Sequence, residues 1–387
     1  MDLNQMISIA VMGSLAIGAA DYATGNRLGL GKEFEQGIMA CGRLILCMAG
    51  FMVLAPLIAQ KLGAVVSPLL RNVGMDPSIL AGMLLANDAG GAALAMELAE
   101  SEAAGLYSGL IVGSMLGTTV MLNIPTVMSF ALREEHSAVI YGMLCGIITI
   151  PLGCLTGGLI AGFPVDMILI NTVPVLMLSL FLLIMLLTFK DHMIHVFSWI
   201  GKVLTCTAAF GLVCGAMEKL IGVTLFQGMD TLDHVFPVVG NISVFLGGAF
   251  TLVAIIRRLF QTLIGRVGKL LKINSCSVSA LLLTIANPIP SIMLIHEMDD
   301  RGKMLNMAFL ISAGCVLGDH LAYTAQIAPS LCVPMIAGKC VGGISSVFVA
   351  LVMMRTLIHV SPSTLDESVA KHSDMGEKHG ESIGNFL

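Results

Sequence analysis

Long apolar runs separated by short polar breaks make up most of the chain. Each run approaches or exceeds the ~20 residues that a helix needs to cross about 30 Å of hydrocarbon. Because a bilayer offers no water to backbone N–H and C=O groups, helices are expected, whereas a β-barrel would show short alternating segments. The apolar segments, numbered 1 to 11 in chain order, are approximately 5–23, 37–60, 78–98, 105–132, 138–162, 167–189, 196–222, 235–260, 276–297, 304–330 and 332–357. The pattern predicts an all-α polytopic membrane protein.

An internal repeat with an offset near 200 relates the two halves of the chain. The matched pairs are, in order, Gly42 with Gly240, Gly50 with Gly248, Asn87 with Asn287, Glu97 with Glu297, Gly113 with Gly314, and Gly117 with Gly318. Their shared order predicts a duplication, which is common in secondary transporters. The predicted transport domain covers 1–360, with repeat 1 at about 1–162, a linker helix at 167–189 and repeat 2 at about 196–357.

The relative orientation of the repeats depends on whether segments 3 and 9 cross the membrane or enter it and return. If both cross, the repeats share one orientation; if both are re-entrant, the repeats are inverted. Basic residues concentrate in cytoplasmic loops, and five of them cluster from the end of segment 8 to the start of segment 9: Arg257, Arg258, Arg266, Lys269 and Lys272. The re-entrant arrangement leaves fewer basic residues outside. We therefore predict an inverted repeat with nine full crossings, an outer N-terminus and a cytoplasmic C-terminus.

Segments 3 and 9 also contain corresponding interruptions. The run Ala-Asn-Asp-Ala-Gly-Gly at 86–91 interrupts segment 3, and Ala-Asn-Pro-Ile-Pro at 286–290 interrupts segment 9. Glycine breaks a helix through backbone freedom, and proline breaks it through a lost N–H group. Matching interruptions in two halves point to the binding site of a transporter.

Asp88, Asn87 and Asn287 are the candidate substrate-binding residues at these interruptions. Asp88 is a carboxylate midway along an apolar stretch, and ionisable residues at such depth usually serve function or pair internally. Asn87 and Asn287 could offer amide oxygens at matching places. The alternative for all three is that they cap the half-helices on either side of a break.

Asp319, His320 and Tyr323 form a second candidate group, well inside segment 10. An Asp–His pair at this depth could bind a cation or relay protons, or it could be a buried structural pair. Tyr323 lies four residues after Asp319 on the same helix face and could add a cation–π wall or only pack. The repeat places Thr118 and Thr119 of segment 4 opposite the pair.

Other polar residues in the segments fit supporting roles. Arg43 and Lys339 could snorkel or neutralise the buried acids. Glu97 and Glu297 lie at segment ends, where solvated positions are expected. Glycines spaced four apart in segments 4 and 10 predict close helix contacts.

The composition excludes several classes of protein. Only 12% of residues are charged, about half the usual share in a soluble domain, and no basic face suits nucleic acid. The ten cysteines form no CxxC pair, and His192 and His195 have no further ligand nearby, so neither disulfides nor a metal site is predicted. No nucleophile elbow, P-loop or HExxH occurs. We therefore expect no catalytic residues and no cofactor. The polar stretch 361–387 is predicted to be a disordered tail.

Several ordered motifs resemble one known family over nearly all of 1–360. They are FEQGIMACG, MAGFMVLAP, DPSILAGMLLANDAGG, LYSGLIVGSMLG, GIITIPLGCLTGGLIAG, GKLLKIN, LLLTIANPIPS, MDDRGKMLNMAF and LGDHLAY. The chain thereby resembles the ethanolamine utilisation permease family, EutH. It departs from the family pattern at Asn87, where the family has Cys, and at Pro288, where it has Asn; these departures weaken a symmetric role for the two asparagines.

The resemblance implies a multi-pass carrier in a bacterial inner membrane. It would bring ethanolamine into the cytoplasm for catabolism, where an ammonia-lyase of a microcompartment uses it. Residue chemistry alone leaves a sodium- or proton-coupled carrier of another small cationic or zwitterionic solute open, and disfavours a membrane-embedded enzyme. The sequence also leaves open whether the chain forms a homo-oligomer.

Overall fold

A computed structural model describes residues 3–132 and 134–360, without the side chains of 190–195, 197, 198, 261–264 and 356–360. The predictions made for the 361–387 tail and for the side chains of His192 and His195 lie outside this described part. In chain order the helices are α1 Leu3–Ala23, α2 Gly31–Arg71, α3 Ser78–Leu84, α4 Ala92–Leu98, α5 Glu102–Phe130, α6 His136–Ile160, α7 Val165–Thr188, α8 Lys190–Ile221, α9 Leu232–Leu259, α10 Gln261–Leu271, α11 Ser275–Ala286, α12 Pro288–Met293, α13 Asp300–Ala313, α14 Asp319–Ile327 and α15 Cys332–Val360.

Helices form throughout this described part of the chain, and no strand occurs in it. Eight of the helices are long and apolar enough to cross a membrane, which confirms the prediction of an all-α polytopic membrane protein. Helix α2 is longer than the predicted segment 37–60, because the polar stretch 31–36 and the stretch 61–71 also belong to it. Glycines and prolines break segments 3 and 9 as predicted.

Segment 3 enters and leaves the protein at the same end. The backbone N–H of Glu100, after α4, donates to Asp76 Oδ2, before α3, at 3.1 Å. The other carboxylate oxygen of Asp76 accepts from Ser78 N at 2.9 Å, and Arg71 forms an ion pair with Glu100. The two short helices α3 and α4 are therefore the arms of a re-entrant hairpin whose mouth is closed by Asp76.

Segment 9 is built in the same way. The side chain of Asn274, before α11, donates to the carbonyl of Glu297 at 2.8 Å, and Asn274 N donates to Asp299 Oδ1 at 2.9 Å. Asn274 Oδ1 also caps α11 by accepting from Ser277 N. Helices α11 and α12 thus form a second re-entrant hairpin. Following the predicted orientation, we call the end that carries Asp76 the outer end and the end that carries Asp299 the inner end.

Segment 10 contains a third break, which the sequence analysis did not anticipate. Helix α13 ends at Ala313 and α14 begins at Asp319, and Cys315 between them adopts φ of 57°. The freed backbone pairs with the end of α11: Cys315 N donates to Thr284 O at 3.0 Å, and Leu317 N donates to Ile285 O at 2.9 Å. The break in segment 10 therefore lies against the break in segment 9.

Segment 10 crosses the protein despite this break. At the inner end Lys303 of α13 pairs with Glu135, just before α6. At the outer end Ile327 of α14 shares a small pocket with Glu100 and Glu102. The broken segment is thus a candidate crossing in addition to the eight long helices, and the arrangement of nine crossings with two re-entrant segments stays a prediction.

Helix directions also agree with what an inverted repeat requires, although the repeat itself stays a prediction. Helix α1 starts at the outer end, where Asn4 Nδ2 donates to Ser330 O after α14. Helix α8 ends at the outer end, where Lys219 pairs with Asp233 of α9. Helix α9 then ends at the inner end, where Arg258 donates to Leu28 O. Helices α1 and α8, which the repeat makes equivalent, run in opposite directions.

Two glycines that the repeat aligns make equivalent close contacts. A Cβ on Gly117 of α5 would lie 2.0 Å from Leu85 O, and a Cβ on Gly318 would lie 1.8 Å from Ala286 O. Both contacts place a broken segment directly on the backbone of its neighbour. The glycine spacing in segments 4 and 10 therefore serves close helix contact, as predicted.

A buried ion network ties segments together at the inner end. Glu135 Oε1 lies 3.1 Å from Lys303 Nζ, and Oε2 lies 3.0 Å from His296 Nδ1. Burial raises the pKa of the Glu135 carboxyl, but the Leu132 N–H and the Lys303 ammonium lower it, and its net pKa lies below the ordinary value. Glu135 therefore stays ionised at neutral pH and anchors the α5–α6 loop to α13.

The topology is testable by labelling. The two ends of the segment 3 hairpin both lie at the outer end. Single cysteines introduced at Val73 and Glu102 should therefore react with a membrane-impermeant maleimide added to intact cells. A cysteine at Lys272, at the inner end, should react only after the cells are permeabilised. Labelling of positions 73 and 102 from opposite sides would contradict the re-entrant arrangement.

Candidate functional site

A cavity of about 670 Å³ opens between the broken segments and the long helices α2, α5 and α8. Residues at the breaks that line it include Asp88, Asn287, Cys315, Asp319 and His320. Arg43 and Cys47 of α2 also line it, and α5 and α8 contribute Met121, Leu122, Pro125, Thr126, Ser129, Gly201, Lys202, Thr205 and Cys206. The lining residues of α5 belong to its C-terminal half, which lies toward the inner end. The cavity therefore extends toward the inner end of the protein.

Asp88 reaches the cavity because the backbone of segment 3 leaves the helical path beside it. Ala89 adopts φ −111° and ψ 37°, and Gly90 adopts φ 91°. A Cβ on Gly90 would lie 2.1 Å from the ring of Phe51, so this position requires glycine for both conformation and space. Among the described residues no basic side chain forms an ion pair with Asp88.

Asp319 is placed at the cavity by the break in segment 10. It is the first residue of α14, and its Oδ2 lies 2.8 Å from Nη2 of Arg43. Its Oδ1 is buried without a hydrogen-bond partner in the described part of the chain. Arg43 therefore neutralises a buried acid, which is one of the two roles predicted for it.

His320 connects the second break to α5. Its Nε2 lies 3.2 Å from Oγ1 of Thr118, and the direction of that hydrogen bond depends on the histidine tautomer. Nδ1 of His320 is buried with no partner among the described residues. His320 thus has one nitrogen within hydrogen-bond distance of α5 and the other buried without a partner in the described part of the chain.

Asn287 has the capping geometry that the sequence analysis offered as its alternative role. Its Oδ1 accepts from Ile289 N at 3.0 Å, at the start of α12. The residue still lines the cavity. Capping and contact with a solute are therefore compatible at this position.

Asn87 and Tyr323 lie behind the cavity wall and not on it. Both are fully buried, and the amide of Asn87 and the hydroxyl of Tyr323 have no hydrogen-bond partner in the described part of the chain. Buried polar groups are nearly always satisfied, so unpaired ones call for an explanation. Their roles in substrate binding stay predictions, and so does the cation–π wall at Tyr323.

Several residues of the predicted supporting set have clear positions. Lys339 of α15 is buried, and its Nζ donates to Ser114 O of α5 at 2.6 Å. Glu97 and Glu297 are exposed at segment ends, as predicted. The described residues contain no cluster of three or more His, Cys, Asp or Glu side chains that could hold a metal ion.

Sequence reasoning missed the polar wall that α5 and α8 contribute. Thr126, Ser129, Lys202 and Thr205 line the cavity, but single hydroxyl or lysine residues in an apolar segment give no local sign of the direction in which they point. Only the packing of α8 beside α5 brings these four residues to one surface.

Broken helices that meet at a cavity lined by carboxylates are typical of membrane transport proteins. The chain belongs to the family described as ethanolamine utilisation protein, EutH, whose model matches residues 3–353. This is a family of permeases and not of enzymes. No solved structure matches the chain.

Curated relatives support this assignment. A probable ethanolamine permease EutH of Listeria monocytogenes is 42% identical over 358 residues, which cover 92% of this chain and 96% of the relative. Probable ethanolamine permeases EutH of Salmonella typhimurium and Escherichia coli are 38% and 37% identical over 350 residues, which cover 84% of this chain and 86% of each relative.

Proposed function

We propose that this protein carries ethanolamine into the cytoplasm of a bacterium across its inner membrane, where ethanolamine is catabolised. The observation that carries the proposal is the pair of carboxylates, Asp88 and Asp319, on the wall of one cavity formed by broken helices. The names of the relatives, each a probable ethanolamine permease, supply the substrate.

The chemistry of the cavity suits this substrate. Ethanolamine near neutral pH is a small ammonium ion with a hydroxyl group. An ammonium requires a carboxylate, and Asp88 has no competing basic ion-pair partner among the described residues. The hydroxyl requires a neutral donor or acceptor, which Asn287 or Thr126 on the same wall can provide. A substrate-binding role for Asn87 and Tyr323 would require the cavity to deepen during the transport cycle.

Two wider proposals rest on the family. The imported ethanolamine would supply a cytoplasmic ammonia-lyase of a microcompartment. The transport domain would correspond to residues 1–360, with 361–387 as a tail that transport does not require. Deletion of 361–387 should therefore leave uptake unchanged.

Uptake by purified protein in liposomes tests the function. Radiolabelled ethanolamine should enter protein-containing vesicles with saturable kinetics and should not enter protein-free vesicles at that rate. Imposed sodium or proton gradients then distinguish facilitated transport from coupled transport. A panel of unlabelled amines and amino acids tests the alternative, which is a carrier of another small cationic or zwitterionic solute. Transport of a different compound, with no entry of ethanolamine and no competition by ethanolamine for that transport, would indicate the alternative.

A further inference from the structure

The ion pair between Arg43 and Asp319 differs from a pair built for stability. Buried structural Arg–carboxylate pairs are commonly bidentate, whereas this one rests on a single contact of 2.8 Å. The Arg43 side chain is 44% exposed, while the Asp319 side chain is 10% exposed. Arg43 also lines the cavity. Its guanidinium is therefore held at Asp319 by one contact and has open space on its other side.

Lys339 shows the contrasting arrangement nearby. It is only 1% exposed, it is not part of the cavity wall, and its ammonium donates to the carbonyl of Ser114. The positive charge of Lys339 is therefore fixed in the packing between α15 and α5. Arg43, in contrast, lines the cavity and has a side chain that is 44% exposed, so packing does not fix its charge in the same way.

Asp319 has the capacity for a second donor. One carboxylate oxygen accepts from Arg43, and the other is buried without a partner among the described residues. A carboxylate at this depth is costly unless a cation compensates it. Asp319 therefore needs a positive charge beside it in every state of the transport cycle that excludes water from the cavity.

We propose that Arg43 is a tethered counter-ion: it compensates Asp319 when the carrier is empty, and it gives up this place when the ammonium of the solute binds between Asp88 and Asp319 in the loaded carrier. The proposal rests on the function proposed above. Both the loaded and the empty carrier would then reorient with Asp319 paired. Arg43 would be needed for the return of the empty carrier and not for the movement of the loaded one.

Net uptake and exchange separate these two steps. Net uptake requires the empty carrier to return, whereas exchange of labelled for unlabelled ethanolamine uses only the loaded carrier. In Arg43→Gln the empty carrier must move Asp319 without the basic partner that it has in wild type, so at saturating ethanolamine we expect net uptake to fall at least about tenfold and exchange to stay within about threefold of wild type. Arg257→Gln, which removes an ion pair to Glu33 outside the cavity, is the matched control and should change neither.

A second variant keeps the test decisive if Arg43→Gln folds poorly. The double variant Arg43→Gln/Asp319→Asn removes both charges of the pair, so the empty carrier no longer has a carboxylate at position 319 to compensate. Its ratio of net uptake to exchange should return to the wild-type ratio, although its affinity for ethanolamine is lower. Two results would overturn the proposal. One is a ratio of net uptake to exchange that is the same in Arg43→Gln as in wild type. The other is a ratio in the double variant that stays as low as in Arg43→Gln. Wild-type protein that shows neither net uptake nor exchange would instead refute ethanolamine transport itself.

Discussion

Asp88→Asn should abolish ethanolamine uptake while the protein still inserts and folds. The substitution preserves the shape of the side chain and removes the charge that would pair with the ammonium. Loss of one partner of a buried ion pair costs about 3–5 kcal/mol, which corresponds to roughly 100-fold or more in affinity. No basic side chain in the described part of the chain depends on Asp88 for an ion pair, so the variant leaves no protein cation unpaired.

The experiment compares initial uptake rates in liposomes that contain equal amounts of monodisperse wild-type and variant protein. Asp166→Asn is the matched control, because Asp166 is exposed in the first turn of α7, away from the cavity. Uptake by Asp166→Asn should equal that of wild type. Near-normal uptake by Asp88→Asn would show that Asp88 only terminates a half-helix.

Gly318→Ala should prevent the two broken segments from meeting and should strongly reduce the yield of folded protein. The new methyl group would lie 1.8 Å from the carbonyl oxygen of Ala286. Overpacking costs about 1–3 kcal/mol where neighbours can move, and more is expected here because the neighbour is backbone. Gly117→Ala, at the equivalent contact with Leu85 O, should have a similar effect.

Gly240→Ala is the control for both variants. Gly240 lies in α9, and a Cβ there would meet no atom within 4 Å. Alanine is also the better helix former, so this variant should be at least as stable as wild type. Melting temperature in detergent and the monodisperse fraction after size-exclusion chromatography measure the effect. Wild-type values for Gly318→Ala would mean that the crossing of segments 9 and 10 is not as close as described.

The parts of the site that sequence could predict are those with a local cause. Asp88 stands out because a carboxylate in an apolar stretch is rare, and the breaks at 86–91 and 286–290 stand out because glycine and proline act on their own backbone. The re-entrant arrangement followed from charge, since basic residues report which side a loop lies on. These features need no knowledge of how helices pack.

The remaining parts depend on contacts between distant residues. Arg43 and Asp319 are separated by 276 positions, and nothing near either residue identifies the other. The break at 314–318 contains no proline, and its two glycines suit close packing as well as a break. It forms because Cys315 N and Leu317 N find acceptors at the end of α11, which is a tertiary effect. Asn87 is not among the residues that line the cavity, and its predicted role in binding the solute stays a prediction.

Protection of a cavity cysteine by ethanolamine tests the central claim most directly, because it reports where the solute binds. Cys206 is exposed on the cavity wall, whereas Cys276 lies at the mouth of the segment 9 hairpin, outside the cavity. The test uses two variants that keep uptake, one with Cys206 and one with Cys276 as its single remaining cysteine. Ethanolamine should slow alkylation of Cys206 in a saturable way and leave the alkylation rate of Cys276 unchanged. Alkylation of Cys206 at the same rate with and without saturating ethanolamine would contradict the assignment of this cavity as the transport site.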